Sequence, residues 1–226
     1  MKSFLPVLAY QKIGQAPKNS HLKKEWTPTK KLESMLLFLI NHGYTFITPA
    51  DLAKKLPTKP ILLAFFGGYQ SFYSEVFPLL KKHNAKVTVF VATNTLGSYN
   101  SWQDPYQEPW QNVLTVPQLK EMYKSKRMAV GTLGLSGENL LNYDESSRAH
   151  KELLESIHRL KVLHKIDACA VGFWPGIQDK NTRIPEITHT IALPIITPHT
   201  GRNPQGTTQF LRILTPGIFT RWILAK

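Results

Sequence analysis

Five apolar runs along the chain have the length and composition of buried strands. They are Leu5–Tyr10, Pro60–Phe66, Lys86–Ala92, Ala168–Phe173 and Ile191–Thr197. Continuous runs of this kind are typical of strands that are buried on both faces, as in parallel sheets. Two shorter strands are also predicted, at Thr45–Ile47 and Met128–Gly131.

Between these strands, apolar residues recur at helical spacing. The pattern predicts four helices, and Asp144 is expected to cap the last of them. A further helix is expected to begin at Thr48–Asp51, because proline stands at its first position. The polar and aromatic segment Gly97–Pro117 is predicted to be a long surface loop. The four helices are Thr29–His42, Phe72–His83, Leu119–Lys126 and Asp144–Leu163.

The order of these elements predicts the fold class. Strands that alternate with helices indicate parallel βαβ units and therefore an α/β protein. No linker, internal repeat or low-complexity segment divides the sequence, so residues 1–226 are predicted to form one domain. The final stretch, Phe210–Leu224, is apolar but is interrupted by Pro216 and Gly217.

Charge narrows the range of partners. The chain has 28 lysines and arginines against 15 acidic residues, which gives a formal net charge of +13 and a pI of about 9.8. This balance favours nucleic acid, anionic glycans or an anionic membrane surface, although scattered lysines also fit a solvated basic surface. The single cysteine, Cys169, stands among apolar residues and is interpreted as a small buried hydrophobe.

Targeting signals are not evident in the sequence. No apolar stretch approaches the roughly 18 residues of a membrane span. The run Phe4–Tyr10 is too short for the core of a secretory signal peptide. The sequence predicts no transmembrane segment. As written it is that of a cytoplasmic protein, but the localisation stays open.

Several motifs follow one another in an order found in a known family. Ile61–Tyr69 resembles a strand that ends in T-F-D-D-G-Y, and Ala85–Val91 resembles the A-T-F-F-V strand after it. Leu5–Ile13 is similar to the opening motif P-V-L-M-Y-H-R-I, and Val130–Leu140 is similar to I-G-S-H-T-L-S-H-P-N-L. Near the end, Ile195–Gly201 is similar to T-V-E-P-G, with which the last motif of that family begins. Together they resemble the polysaccharide deacetylase family, also called carbohydrate esterase family 4 or the NodB-homology domain. The resemblance covers nearly the whole chain and implies a distorted (β/α) barrel.

The resemblance also implies a site from which the chemistry is missing. In the family, one aspartate is the general base, and a second aspartate and two histidines bind a divalent metal that activates water. In this sequence, Phe66 stands at the position of the base and Gly67 at the position of the metal-binding aspartate. Leu133 and Gly137 stand at the positions of the two metal-binding histidines, and Gln11 at that of the histidine in the opening motif. Hydrocarbon side chains have no lone pair for a metal or a proton. We therefore predict no metal, no other cofactor and no familial hydrolysis, and we expect the two aspartates and two histidines, restored together, to recover metal binding.

A third motif is altered in the same way. Phe173–Gly176 resembles the family's turn of proline, tyrosine and glycine, but Val171 and Gly172 stand where its arginine is expected. The residues that shape the backbone remain, namely Gly68, Gly131, Pro175 and Gly201.

No other cluster of the sequence is predicted to replace this site. His150, His158 and His164 are spaced eight and six apart, so no pair of them shares a helix face at four residues' distance. His189 and His199 lie near a later strand, and His199 is expected in a turn near the barrel mouth, where it can face a ligand. Three carboxylates in predicted loops are assigned no chemistry: Asp104, Glu108 and Asp179.

Three functions remain open on the sequence alone. The first is a non-catalytic protein that binds a glycan, an acidic one if the basic charge contributes, or that acts as a scaffold. The second is a deacetylase with a rearranged site. The third is nucleic-acid binding, which only the charge suggests and which we rank last. The residues predicted to contact a glycan are Phe66, Leu133, Trp174, His199, Trp102 and Trp110.

Overall fold

The computed structural model describes residues 4–175, 183–204, 206–214, 216 and 219. Within these residues the helices are α1 (Thr29–Asn41), α2 (Phe77–His83), α3 (Val116–Lys124), α4 (Ser146–His164) and α5 (Ile184–Thr188). The strands are β1 (Phe4–Leu5), β2 (Val7–Tyr10), β3 (Lys12–Ile13), β4 (Trp26–Thr27), β5 (Thr45–Ile47), β6 (Pro60–Phe66), β7 (Val87–Val91), β8 (Met128–Thr132), β9 (Ala168–Gly172), β10 (Ile195–Thr200), β11 (Asn203–Pro204) and β12 (Leu211–Ile213).

Seven parallel strands form a nearly closed barrel. Their order is β12-β10-β9-β8-β7-β6-β2, and β5 pairs with the beginning of β6. The barrel closes between its two ends, because the Leu214 amide donates to the Val7 carbonyl at 2.7 Å and the Ala9 amide donates to the Leu214 carbonyl at 3.2 Å. The α/β barrel predicted from the sequence is confirmed.

The central strand β6 explains why its sequence is apolar throughout. Its successive side chains point to opposite faces of the sheet. Leu62, Ala64 and Phe66 pack inside the barrel, whereas Leu63 and Phe65 pack in the layer between the strands and the helices. All seven residues of the strand are buried. Neither face of this strand therefore tolerates a polar residue without a partner.

The helices cover the outside of the barrel with one apolar stripe each. In α1 the stripe consists of Leu32, Leu36 and Leu39, which are spaced at one and two turns. A single π-helical turn, Phe72–Val76, leads into α2. No helix among the described residues is long and apolar enough to cross a membrane.

Two predicted boundaries are wrong for identifiable reasons. Helix α4 begins at Ser146 and makes no side-chain cap, so Asp144 is not its cap; its carbonyl instead accepts a hydrogen bond from Arg183. The strand predicted at Ile191–Thr197 begins only at Ile195, since Pro194 before it has no amide hydrogen to donate.

Three further predictions need correction. His199 lies within strand β10 and not in a turn. The helix expected after Thr48 is a single 3-10 turn, which a capping box between Thr48 and Asp51 closes. The loop predicted at Gly97–Pro117 is only partly a surface loop, because Glu108 within it is fully buried. Predictions that fall on Gly176, Asp179, Gly217 and most of the final apolar stretch lie outside the described residues.

Candidate functional site at the barrel mouth

Aromatic rings fill the barrel where its strands end. Phe66, the last residue of β6, and Phe90 in β7 are 1% and 0% exposed. Their rings stack at a centroid distance of 4.8 Å with planes 13° apart. The carboxyl ends of parallel barrel strands are the usual place for an active site. In this barrel, that place contains a stacked aromatic pair.

Two glycines on the neighbouring strands make room for the Phe90 ring. A Cβ atom at Gly131 would lie 2.3 Å from the ring, and one at Gly172 would lie 2.6 Å from it and 3.0 Å from the Phe66 ring. Any side chain at these positions would collide with the aromatic pair. At Gly172, one of the two positions where the arginine of the family motif is expected, packed rings leave no room for a side chain.

A tryptophan packs against Gly137, which the resemblance aligns with the second metal histidine. Gly137 has a φ of +82°, and a Cβ atom there would lie 2.5 Å from the Trp102 ring. Trp102 comes from the segment between β7 and α3, about thirty-five residues earlier in the chain. Gly67 is restricted in the same way, because its φ is +100° and a Cβ atom would lie 2.5 Å from the Tyr69 ring. Residues with a side chain rarely adopt the positive φ angles of these two glycines.

The residues at the four family positions do not fit a divalent metal. Leu133 is 2% exposed and packs in the same apolar cluster as Phe66. Neither residue has a nitrogen or oxygen donor in its side chain, and the glycines at positions 67 and 137 have no side chain at all. Among the described residues, no group of three or more histidines, cysteines, aspartates or glutamates lies close enough together to hold a metal ion.

Two tryptophans next to the apolar cluster of Phe66 and Leu133 remain partly exposed to solvent. Trp102 and Trp174 are half-buried, and their ring centroids are 5.6 Å apart with planes at 38°. The Trp174 indole nitrogen donates to the Gly137 carbonyl at 2.8 Å, which fixes the ring. The Phe66 ring supports Trp174 at 6.5 Å from beneath.

These tryptophans form one wall of a small pocket of about 210 Å³ at the barrel mouth. The pocket combines flat aromatic rings with amide side chains and one carboxylate. Its lining residues are Gln11, Glu25, Tyr69, Trp102, Gln103, Gly137, Asn139, Trp174 and Pro175.

A buried polar cluster lies beside the pocket and was not predicted from the sequence. Lys12, which is 0% exposed, donates from Nζ to Glu25 Oε2 at 2.6 Å and lies 3.9 Å from Glu108 Oε1. Glu108 also accepts hydrogen bonds from the Ser20 hydroxyl and, at 2.7 Å, from the Trp26 indole nitrogen. Glu108 is therefore not an isolated loop carboxylate. We call Lys12, Glu25 and Glu108 the charged triad.

Local structure brings the triad together. The short parallel strands β3 and β4 pair Lys12 with Trp26, which places Glu25 beside the lysine. The Lys12 ammonium also lies 5.6 Å from the centre of the Tyr69 ring. Burial, and to a smaller extent the charges of Glu25 and Glu108, raise the pKa of the Tyr69 hydroxyl, so that it stays protonated at neutral pH. The sequence signal for this cluster was a lysine at position 12, within a mostly apolar opening motif.

The remaining predicted contact residues lie elsewhere. Trp110 is 44% exposed, stacks on Tyr99 at 4.5 Å and does not line the pocket. His199 is half-buried in β10 and does not line it either. His150 lies in α4 and His189 directly follows α5, and their rings stack at 4.4 Å, a pairing that spacing along one helix does not reveal. Contact of any of these residues with a ligand stays a prediction.

A larger cavity, of about 1000 Å³, opens at the opposite end of the barrel. It is lined mostly by apolar residues, including Met128 and Cys169 near the beginnings of β8 and β9. Burial raises the pKa of the Cys169 thiol to about 12, which leaves almost no thiolate at neutral pH. Cys169 is half-buried and not buried as predicted, and its thiol is not an activated nucleophile at neutral pH.

Comparison with known proteins gives a consistent family match. Residues 53–191 match the sequence family described as polysaccharide deacetylase. The chain is 29% identical over 124 residues to the YxkH protein of Bacillus subtilis and 28% identical over 112 residues to the poly-β-1,6-N-acetyl-D-glucosamine N-deacetylase of Staphylococcus epidermidis. These matches cover 52% and 47% of the chain, but only 38% and 36% of the two relatives.

Solved structures match over almost the full length. IcaB from Ammonifex degensii superposes with a TM-score of 0.76 at 20% identity, over 98% of this chain and 96% of its own. The deacetylase PplD of Streptococcus pyogenes, solved in complex with acetate, gives 0.73 at 19% identity over 98% of both chains. At these identities the structures support the fold and not the activity.

Proposed function

The chain belongs to the polysaccharide deacetylase family, and from that premise we propose that it is a non-catalytic member that binds carbohydrate at the barrel mouth. The observation that carries the proposal is the stacked pair of Phe66 and Phe90 at the strand ends, together with the ring of Trp102 over Gly137. Aromatic rings pack at the positions that the family resemblance aligns with the base and the metal ligands.

The missing groups argue against hydrolysis. Removal of a positioned general base alone typically slows a reaction by about 10²–10⁴-fold. The apolar cluster around Phe66 and Leu133 offers neither that base nor a metal ligand. A member with this mouth is expected to lack the family's deacetylation altogether.

The pocket above the cluster supports carbohydrate binding. Sugar rings have apolar C–H faces that pack on indole rings, and hydroxyls that need paired donors and acceptors. Trp102 and Trp174 offer the first, and the amides of Gln11, Gln103 and Asn139 offer the second. A few polar groups beside aromatic walls are typical of small-molecule pockets.

The size of the pocket and one relative suggest which sugar to test. At about 210 Å³ the pocket is smaller than the roughly 300–1,000 Å³ of drug-sized sites, which favours a single sugar residue. The relative from Staphylococcus epidermidis is named for a polymer of N-acetyl-D-glucosamine. Hexosamine oligomers are therefore the first ligands to examine.

Two assays test the proposal together. We expect no acetate from acetylated glucosamine oligomers, with or without added zinc, cobalt or nickel, and no stoichiometric metal by elemental analysis. We expect the same oligomers to bind, and Trp174→Ala to weaken binding, whereas Phe210→Ala is the control because this exposed ring lies just before β12, away from the pocket. Release of acetate would overturn the non-catalytic proposal, and absence of glycan binding would overturn the binding proposal.

The same assays separate the two alternatives. A rearranged hydrolase would have to use polar groups such as the charged triad, and it would release acetate. A nucleic-acid-binding protein would bind DNA with an affinity that falls steeply as salt rises, and it would not depend on Trp174.

A further inference from the structure

The charge of the mouth pocket differs in sign from the charge of the chain. Of the nine described residues that line the pocket, Glu25 alone has a charged side chain. Its side chain is 27% exposed, so a ligand can reach the carboxylate. The chain as a whole has a net charge of +13. The overall charge favours an anionic partner, whereas a ligand inside this pocket contacts the carboxylate of Glu25.

Lysine 12 does not cancel this acidity. Its ammonium is fully buried and lies between Glu25 at 2.6 Å and Glu108 at 3.9 Å, so two carboxylates share one cation. The other partners of Glu108, Ser20 and Trp26, are neutral donors. The triad therefore has an excess of one negative charge beside the pocket. Since Lys12 has no exposed surface and Glu25 is 27% exposed, a ligand can contact the carboxylate of Glu25 but not the ammonium of Lys12.

The other pocket groups fit a hexosamine whose nitrogen is free. Trp102 and Trp174 present ring faces, which attract a nearby ammonium as well as packing on sugar C–H groups. An acetamido group would add an acetyl group in a pocket of about 210 Å³ and would bring no charge to Glu25. A uronic acid would place like charges close together in a partly desolvated site.

Resting on the proposed carbohydrate-binding function, we propose that the mouth pocket selects hexosamine residues with a free amine over their N-acetylated forms and over acidic sugars. The ammonium binds beside Glu25, and the sugar ring packs on the two tryptophans. The site thus recognises the chemical product of a deacetylation that this chain does not itself perform.

Titration calorimetry on the full chain tests the selection with three defined probes. These are the disaccharide of glucosamine, its di-N-acetylated form and a disaccharide of galacturonic acid. We expect the amine form to bind about tenfold more tightly than the acetylated one, which corresponds to one charge-assisted hydrogen bond. Glu25→Gln should abolish this difference.

A matched control is present elsewhere on the surface. Glu33 is 28% exposed and pairs with Lys82 at 2.8 Å, so Glu33→Gln removes a carboxylate of similar exposure and pairing away from the pocket. It should leave the preference for the amine unchanged. Asn139→Asp is a second variant that leaves Glu25 in place and adds a carboxylate to the pocket. It should increase the preference, and it gives a result even if Glu25→Gln fails to fold.

The outcomes distinguish this inference from the proposed function. Equal binding of the amine and acetylated forms, tighter binding of the acetylated or acidic probe, or a preference that survives Glu25→Gln overturns the inference and leaves carbohydrate binding intact. An Asn139→Asp variant without increased preference also counts against it. If none of the three probes binds, the proposed function itself fails.

Discussion

The substitution Phe66→Asp separates a packed barrel mouth from an open metal-competent one. The Phe66 ring is 1% exposed and stacks on Phe90, and truncation of such a ring to alanine typically costs about 3–5 kcal/mol. The new carboxyl group would lie among Leu133, Trp174 and Phe90, which have no charged group to pair with it. We therefore expect a loss of at least about 4 kcal/mol at pH 7, close to the whole stability of many domains.

The destabilisation should depend on pH with a defined sign. Burial without a cation would raise the pKa of an aspartate at position 66 in the folded state above the value of about 3.9 in the unfolded chain. Above pH 3.9 the folded state then holds more protons than the unfolded state, so the free energy of unfolding falls by up to about 1.4 kcal/mol per pH unit until the folded pKa is reached. The variant should thus be least impaired under acidic conditions.

Urea unfolding followed by tryptophan fluorescence at pH 4, 6 and 8 measures both effects. Phe66→Leu is the control, because it keeps an apolar side chain and should cost far less than the aspartate at every pH. If Phe66→Asp stays within about 1 kcal/mol of the native chain at pH 7, or if zinc raises its midpoint, the mouth is open enough to hold an ion and our interpretation is wrong.

Three other predictions follow from single contacts. Gly137→Ala should lower the free energy of unfolding by about 1–3 kcal/mol, since its Cβ would lie 2.5 Å from Trp102; a urea midpoint equal to the native one would contradict that packing. Lys12→Met should cost about 3–5 kcal/mol in the same assay because it leaves Glu108 buried without a cation, and Lys12→Met combined with Glu108→Gln should recover part of the loss. Cys169 should react with iodoacetamide at pH 8 roughly a thousandfold more slowly in the folded chain than in urea, because its pKa is about 12; equal rates measured by mass spectrometry would show an accessible thiolate.

The restoration of metal binding needs more than the sequence alone suggests. Histidine at position 137 would collide with Trp102, and aspartate at position 67 would collide with the Tyr69 ring. The variant with all four substitutions at the family positions is therefore expected to unfold at the mouth unless Trp102 is replaced by a small residue as well. Elemental analysis of metal in the quadruple variant, and in the quintuple variant that also replaces Trp102, tests whether the tryptophan prevents metal binding.

The fold was largely predictable because it depends on local patterns. The fully apolar run at β6 and the spacing of Leu32, Leu36 and Leu39 in α1 each identify an element without knowledge of its neighbours. The errors occur where a contact with a residue far away in the sequence determines the end of an element. Asp144 has the chemistry of a helix cap, but Arg183 binds its carbonyl and α4 begins two residues later.

The sequence shows which residues stand at the family positions of the candidate site, but not which residues pack against them. Four residues in a family motif suffice to predict that the donors are absent. The contact of Trp102 with Gly137 and the burial of Glu108 against Lys12 join segments that are far apart in the sequence. Spacing along the chain contains no information about such contacts, so the charged triad was missed.

The glycines and the aromatic rings at the mouth depend on each other for space. Gly131 and Gly172 have ordinary backbone angles, so no left-handed conformation requires them; the Phe90 ring does. An aspartate at position 66 without its metal would be a buried, unpaired charge, whereas phenylalanine there stacks on Phe90 and supports Trp174. Once the ring is in place, an arginine at 172 or a histidine at 137 has no space. Each of these residues thus occupies space that the family's side chain at a neighbouring position would need, and replacement of any single one by the family's residue is expected to destabilise the chain.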